Sequence, residues 1–170
     1  MISDRLATRR LTLRPFRCSD AESVFEYWSS DPSWERFNAS VPADFSLADA
    51  QSFVKQMMER DRFEAPSWAL EHQGTVVGVV SLTFPQNHQI AVLGYGVHGD
   101  LRGEGFAGEA ANVVIGEAFS NHEQLRLIRA YTDPENQASI RVLEKLGFSS
   151  EDTAGQYVLR SANATGACSC

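Results

Sequence analysis

The stretch from Ile90 to Ser120 constrains the fold of this chain more than any other. Apolar residues between Ala91 and Val97 indicate a buried strand, which leads into the glycine-rich segment Arg102-Gly103-Glu104-Gly105-Phe106-Ala107-Gly108. Apolar residues then recur every three or four positions, the period of one helical face: Ala107, Ala110, Ala111, Val114, Ile115, Ala118 and Phe119. A strand, a glycine turn and a helix in this order direct free backbone N–H groups and the positive end of the helix dipole at an anion. The sequence therefore predicts a pyrophosphate-binding turn.

Two classes of ligand could use such a turn. The spacing Gly103-x-Gly105-x-x-Gly108 matches the dinucleotide fingerprint, whose partner acid lies about 20 residues further on, and Asp133 is a loose candidate for that acid. However, the glycines do not follow the strand directly, Asp133 comes late, and no second β-α-β half is visible. A P-loop is excluded because Gly-Lys-Ser/Thr is missing. A small nicotinamide-dependent oxidoreductase is the weaker alternative.

Three ordered motifs resemble those of the GCN5-related N-acetyltransferases (GNAT superfamily). The central one, similar to the acetyl-CoA-binding motif, consists of Leu93-Gly94-Tyr95-Gly96-Val97, Arg102-Gly103-Glu104-Gly105-Phe106-Ala107 and Glu109-Ala110. The second motif of the superfamily is similar to Asn136-Gln137-Ala138-Ser139-Ile140-Arg141-Val142-Leu143-Glu144-Lys145-Leu146-Gly147-Phe148. The opening of the ribosomal-protein N-terminal acetyltransferase (RimJ/RimL-like) branch resembles Arg10-Leu11-Thr12-Leu13-Arg14-Pro15-Phe16 with Asp20-Ala21. Together the motifs cover most of the chain.

The resemblance implies acetyl-CoA as co-substrate and assigns residues to it. Main-chain N–H groups of Arg102, Gly103, Glu104, Gly105, Phe106 and Ala107 would hold the pyrophosphate. Val97 and His98 would line the pantetheine arm where the strands at Val97 and Tyr131 diverge, and a backbone N–H near Val97 would polarise the thioester carbonyl.

The catalytic residues implied by the resemblance are Asn136 and Ser139. Asn136 would contact the pantetheine or order the site, and Ser139 would hydrogen-bond the sulfur and assist protonation. Helix capping is the alternative role for both, since Asn and Ser near a helix start usually cap it. Tyr131 could line the acceptor groove, although packing is the more usual fate of an aromatic residue.

The sequence leaves the general base open. Some relatives carry a carboxylate just before the Gly-Tyr of the central strand, where this chain has Ala91, Val92 and Leu93. The remaining candidates are His98, Glu71, His72, Asp152 and water. A water-relayed path would suffice, because the amine must only lose its proton before it attacks.

Composition limits the partners. The 170 residues correspond to about one domain, and a formal charge of −7 argues against nucleic acid as the main partner. No apolar run approaches the length that spans a membrane, and the N-terminus does not resemble a secretory signal. Cys18, Cys168 and Cys170 suggest neither a disulfide framework nor a metal site. We expect a cytoplasmic protein that is a monomer or a homodimer.

The periodicities predict one mixed α/β domain over residues 1–161, followed by a flexible tail at 162–170. The predicted order is β-α-α-β-β-β-α-β-α-β-β, beginning with a strand from Thr8 to Phe16 and a helix capped by Ser19 or Asp20. In an acetyltransferase the aromatic loop from Trp34 to Asp44 would be a natural acceptor-side wall, although packing in a satellite core is the more usual fate of loop aromatics. The resemblance implies a mostly antiparallel, twisted sheet with a parallel, splayed pair at the cofactor site and about four flanking helices.

The resemblance also implies the activity. It is acetyl-CoA-dependent N-acetylation of a primary amine, either a protein N-terminal α-amine or a small-molecule amine, by direct attack through a tetrahedral intermediate. An acyl-CoA-binding sensor without catalysis and the nicotinamide-dependent oxidoreductase are the alternatives.

Overall fold

Eight strands form one sheet in the computed structural model, which describes residues 2–29, 31, 42, 44–85 and 88–162. The strands are β1 (Leu6–Ala7), β2 (Thr12–Arg14), β3 (Ser67–His72), β4 (Thr75–Thr83), β5 (Ile90–Val97), β6 (Leu127–Tyr131), β7 (Ser149–Ser150) and β8 (Gln156–Arg160). The helices are α1 (Ala21–Ser29), α2 (Leu47–Glu59), α3 (Phe106–Asn121) and α4 (Gln137–Lys145). Their spatial order in the sheet is β1-β2-β3-β4-β5-β6-β8-β7. The predicted mixed α/β class is confirmed.

The pair β5–β6 is parallel, whereas the other described pairings are antiparallel. Its ladder begins at Ile90 with Leu127 and reaches Leu93 with Ala130. Strand β5 continues four residues further, to Val97, while β6 ends at Tyr131. The predicted diverging parallel pair is therefore confirmed, and the gap between the strands opens beyond Leu93.

The sheet separates two layers of helices. Because successive side chains of a strand point to opposite faces, Trp68 and Leu70 pack in the core beneath α3 and α4, while Ala69 packs in the core beneath α1 and α2. All three are fully buried. A ligand that enters the gap between β5 and β6 can therefore approach it from either face of the sheet.

The predicted N-terminal strand from Thr8 to Phe16 is confirmed only over Thr12–Arg14, the strand β2, and its first part is wrong. The chain instead forms a hairpin of β1 and β2, with Leu6 opposite Leu13, closed by a hydrogen bond from the Thr8 N–H to the Leu11 carbonyl. No glycine or proline marks this turn in the sequence, so alternation alone concealed it. A short 3₁₀ turn, Cys18–Asp20, precedes α1, and the Asp20 carboxylate accepts the Arg17 N–H.

Other local predictions hold. Ser46 caps α2 reciprocally with Asp49, and the turn between β3 and β4 has positive φ at Gln73 (52°) and Gly74 (84°), as a tight hairpin turn requires. The proposed acceptor-side loop from Trp34 to Asp44 lies almost wholly outside the described residues, as does the predicted tail after residue 162. Among the residues that are described, no helix is long and apolar enough to cross a membrane.

Candidate active site

The glycine turn before α3 is open. Gly103 and Gly105 have φ of 80° and 85°, in the left-handed region that favours glycine, and Gly105 directly precedes the first residue of α3. A Cβ atom on Gly103 would meet nothing within 4 Å, and one on Gly105 would meet only Arg10 Nη2, at 3.6 Å. Gly105 has no side chain with which to cap the helix, so the N–H groups of the first turn of α3 are available to an anion or to water.

The side chain of Arg102 is paired with another residue of the chain and is not available to an anion at the glycine turn. Its guanidinium forms an ion pair with Asp31, just beyond α1, and the Asp31 side chain is only 13% exposed. The main-chain N–H of Arg102 donates to the Gly99 carbonyl at 3.1 Å, so the prediction that this N–H faces the anion is wrong and the free N–H groups begin after Arg102. Glu104 is exposed, Phe106 is buried, and Ala107 is half-buried at the start of the helix.

Val97 and His98 lie at the end of β5. The Val97 side chain is buried, and the His98 N–H donates to the Val77 carbonyl of β4 at 2.8 Å. Because consecutive N–H groups of a strand point in opposite directions, the Val97 N–H points away from β4, toward the gap between β5 and β6. His98 Nδ1 accepts the Asp100 N–H at 3.2 Å, which assigns the ring proton to Nε2. In that tautomer Nε2 is a donor, which disfavours His98 as a base.

Tyr95 and Ser139 meet across the gap. The Tyr95 hydroxyl lies 3.0 Å from Ser139 Oγ and donates to the Ser139 carbonyl at 3.2 Å. Burial raises the pKa of Tyr95, and the hydrogen bond with Ser139 partly opposes this shift. Asn136 accepts the Ser139 N–H through Oδ1 at 3.1 Å and is the N-cap of α4, the role that spacing had favoured. Tyr95 was not predicted as a site residue, although it lies within the central glycine-containing motif.

The other candidate bases either pair with residues outside the site or, among the residues that the structure describes, have no hydrogen bond to Tyr95 or Ser139. Glu71 forms an ion pair with the buried Arg14 at 2.5 Å. His72 Nδ1 donates to the Arg10 carbonyl at 3.0 Å, and its ring packs edge-on against Phe106. Asp152 is exposed in the loop before β8. Within the described residues, no hydrogen bond or ion pair joins any of these three, or His98, to Tyr95 or Ser139.

A cleft of about 710 Å³ lies on the opposite face, between α1, α2 and the strands β4 and β5. Its wall is aromatic: the Trp28 ring centroid lies 4.5 Å from that of Phe53 and 4.9 Å from that of Phe45. One face of α2, including Asp49, Gln56 and Arg60, adds polar groups, and the floor reaches Gly94 and Tyr95. By contrast Tyr131 is 59% exposed, so the expectation that it packs is wrong.

A family model for the acetyltransferase (GNAT) domain matches residues 10–149. The chain belongs to the GNAT family. It is therefore an acetyl-CoA-dependent N-acetyltransferase, and the open turn before α3, the diverging strands and the Tyr95–Ser139 contact all lie within the matched range.

Relatives and solved structures agree with this assignment of the GNAT domain. The chain is 29% identical over 156 residues to an uncharacterized N-acetyltransferase, p20, of Bacillus licheniformis, covering 91% of this chain and 87% of that protein. It has the fold of a putative ribosomal-protein-serine acetyltransferase from Vibrio cholerae, with a TM-score of 0.79, 22% identity, and coverage of 95% and 100% of the two chains. Mycobacterium smegmatis RimJ, in complex with CoA-disulfide, gives a TM-score of 0.78 at 21% identity, with coverage of 94% and 88%.

Proposed function

We propose that this GNAT enzyme acetylates a primary amine that enters through the aromatic cleft, with acetyl-CoA bound on the opposite face of the sheet. The observation that carries this proposal is the open glycine turn at the start of α3. Main-chain N–H groups from Gly103 to Ala107 would hold the diphosphate there, since the Arg102 N–H is bonded to the Gly99 carbonyl. When bound, the coenzyme supplies the acetyl thioester, and Val97 and His98 would lie beside its pantetheine arm.

The gap between β5 and β6 is where the acetyl group would be transferred. The Val97 N–H points into it and would stabilise negative charge that develops on the thioester oxygen. The Ser139 hydroxyl, 3.0 Å from the Tyr95 hydroxyl, would hydrogen-bond the departing sulfur. As the C–N bond forms and the C–S bond breaks, the proton that the nitrogen loses would reach the thiolate through this hydroxyl, which stays neutral. Asn136 would order this end of α4 through its cap. The amine would lose its proton to water in the cleft before it attacks the carbonyl.

A protein N-terminal α-amine suits the cleft better than a compact small-molecule amine. Along α2 the lining residues run from Asp49 to Arg60, which at 1.5 Å per residue is roughly 16 Å. About five residues of an extended peptide span that length. The name of one structural neighbour, a putative ribosomal-protein-serine acetyltransferase, supports the same choice.

Coenzyme binding and turnover test the proposal separately. Calorimetry should show binding of acetyl-CoA and none of NADH. A thiol-release assay should then respond to amino-terminal peptides more strongly than to polyamines or aminoglycosides. Binding of NADH alone would refute the coenzyme assignment, and coenzyme binding with no thiol release across the whole panel would indicate a sensor rather than an enzyme.

A pair of glycine substitutions tests the turn. Gly105→Glu places a carboxylate where the diphosphate would lie and should abolish coenzyme binding, through charge repulsion and a left-handed φ that glutamate rarely adopts. Gly116→Ala is the matched control, because it lies on an exposed, helical position of α3 with nothing within 4 Å of its Cβ. Equal coenzyme affinity in both variants would refute the proposed turn.

A further inference from the structure

Arg10 lies at the start of α3, although it belongs to the turn of the N-terminal hairpin. Its Cζ atom lies 4.0 Å from the centre of the Phe106 ring, and its Nη2 lies 3.6 Å from the position of a Cβ on Gly105. The guanidinium therefore stands beside the same glycine turn that we propose as the diphosphate site. No motif or comparison assigns it a role there.

Glu109, in the first turn of α3, fixes this placement. Its carboxylate accepts Arg10 Nε at 2.7 Å, the Arg10 main-chain N–H at 2.9 Å and the Thr8 hydroxyl at 2.5 Å. Burial raises the pKa of Glu109, but these hydrogen bonds and the Arg10 charge outweigh it, so the net direction is downward and the carboxylate stays ionised. His72 holds the other side of the Arg10 backbone by donating to its carbonyl at 3.0 Å.

The two terminal nitrogens of Arg10 are left over from this arrangement. Of the three guanidinium nitrogens only Nε bonds to Glu109, and within the described part of the chain neither Nη1 nor Nη2 has a hydrogen-bond partner. The side chain is 25% exposed, so these nitrogens can be reached from solvent. Arg102, the arginine within the turn itself, is by contrast paired with Asp31.

We propose that Arg10 binds a phosphate group of coenzyme A through Nη1 and Nη2, an inference that rests on the proposed diphosphate site. A planar guanidinium that presents two parallel N–H donors matches phosphate geometry, and its charge adds to the positive end of the helix dipole. Its neighbour Gly105 makes the diphosphate the nearer candidate, and the 3′-phosphate is the second source of the same chemistry. Glu109 and Thr8 are positioning residues that hold the fork in place.

Calorimetry with coenzyme A and dephospho-coenzyme A on three variants tests this role. Arg10→Gln should weaken coenzyme A binding about 10- to 100-fold, the range expected for hydrogen bonds to a charged group. Arg10→Lys keeps the charge but loses the two parallel N–H donors, so its affinity for coenzyme A should lie between those of Arg10→Gln and the wild type. Arg9→Gln is the matched control, because Arg9 is the exposed neighbour with the same charge, and its affinity should stay within about twofold.

The two ligands identify the phosphate. An equal loss for coenzyme A and dephospho-coenzyme A would assign Arg10 to the diphosphate, whereas a loss for coenzyme A alone would assign it to the 3′-phosphate. Either result supports the inference. Transfer from acetyl-pantetheine, which has no phosphate, should be unchanged in Arg10→Gln, and a parallel loss with that donor would reveal a merely structural role and overturn the inference.

The failure of this inference differs from the failure of the proposed function. Equal coenzyme affinity in Arg10→Gln and Arg9→Gln, with the wild type binding normally, would overturn the role of Arg10 alone. A wild type that binds no coenzyme A would overturn the proposed site and the role of Arg10 together.

Discussion

Replacing Asp20 by asparagine should destabilise the protein strongly, because Asp20 neutralises a buried guanidinium. Arg14 is 3% exposed and Asp20 is 4% exposed. Two parallel hydrogen bonds join them, from Nη1 at 2.8 Å and Nη2 at 2.9 Å, while Glu71 accepts Nε. The hydrogen bonds that Arg14 donates to Asp20 are the main reason that the pKa of Arg14 is raised above its ordinary value, although burial opposes them.

In the Asp20→Asn variant the buried Arg14 cation would keep only one of its two carboxylate partners, Glu71. The expected loss of stability follows from this incomplete neutralisation. Removing one partner of a buried ion pair typically costs about 3–5 kcal/mol. For a chain of this length, each kcal/mol lowers the melting temperature by roughly 2–4 °C, so Asp20→Asn should lower it by roughly 6–20 °C. Glu59→Gln is the matched control, since its pair with Lys55 is exposed and contributes about 0.5 kcal/mol or less.

Urea unfolding of a double-mutant cycle measures the effect. The cycle consists of Arg14→Met, Asp20→Leu and the double variant that removes both charges. The double variant should lose less free energy of unfolding than the sum of the two single variants, with a coupling energy of at least about 2 kcal/mol. A cost below about 1 kcal/mol for Asp20→Asn, or single-mutant costs that simply add, would refute the reasoning.

Three further outcomes are expected. Gly103→Ala should cost about 1 kcal/mol because φ is 80°, whereas Gly116→Ala should gain up to about 1 kcal/mol, and chemical denaturation compares them. Tyr95→Phe should lower kcat about tenfold without changing coenzyme affinity, because it frees the Ser139 hydroxyl, and steady-state kinetics would refute this by showing an unchanged kcat. Burial, aided by the charge of nearby His88, lowers the pKa of His122 below its ordinary 6.5. His122 therefore binds a proton more readily in the unfolded chain than in the folded one. Its contribution to the free energy of unfolding should be constant above about pH 6.5 and should fall below that pH. Urea midpoints should show a smaller fall in His122→Phe, and an equal fall would contradict the assignment.

The local patterns of this sequence predicted its central elements well. Residues within a few positions of one another define three elements: the apolar strand β5, the glycine turn and α3. Periodicity and the placement of the glycines are therefore sufficient to predict them. The order of helices and strands from α1 onward followed in the same way. Each of these features depends on local chain conformation.

The polar contacts that organise the site were not predictable by the same means. Arg10 meets Glu109 across 99 positions of sequence, and Arg14 meets Glu71 across 57. Tyr95, on β5 beyond the last pair of its ladder with β6, meets Ser139 of α4 across 44 positions. Patterns of hydrophobicity show which face of an element is buried, but they do not show which charged or hydroxyl groups the packing of distant elements brings together.

The division of the helices into two layers has a practical consequence for inhibition. If coenzyme and acceptor approach the gap beside Tyr95 from opposite faces, a single molecule that joins a pantetheine thioether to a peptide amine could occupy both approaches at once. Once one end had bound, the other would experience an effective concentration in the millimolar range, so the joined molecule should bind far more tightly than either half. Such a compound would also reveal the acceptor, because its affinity would rise only when the attached peptide matched the aromatic cleft.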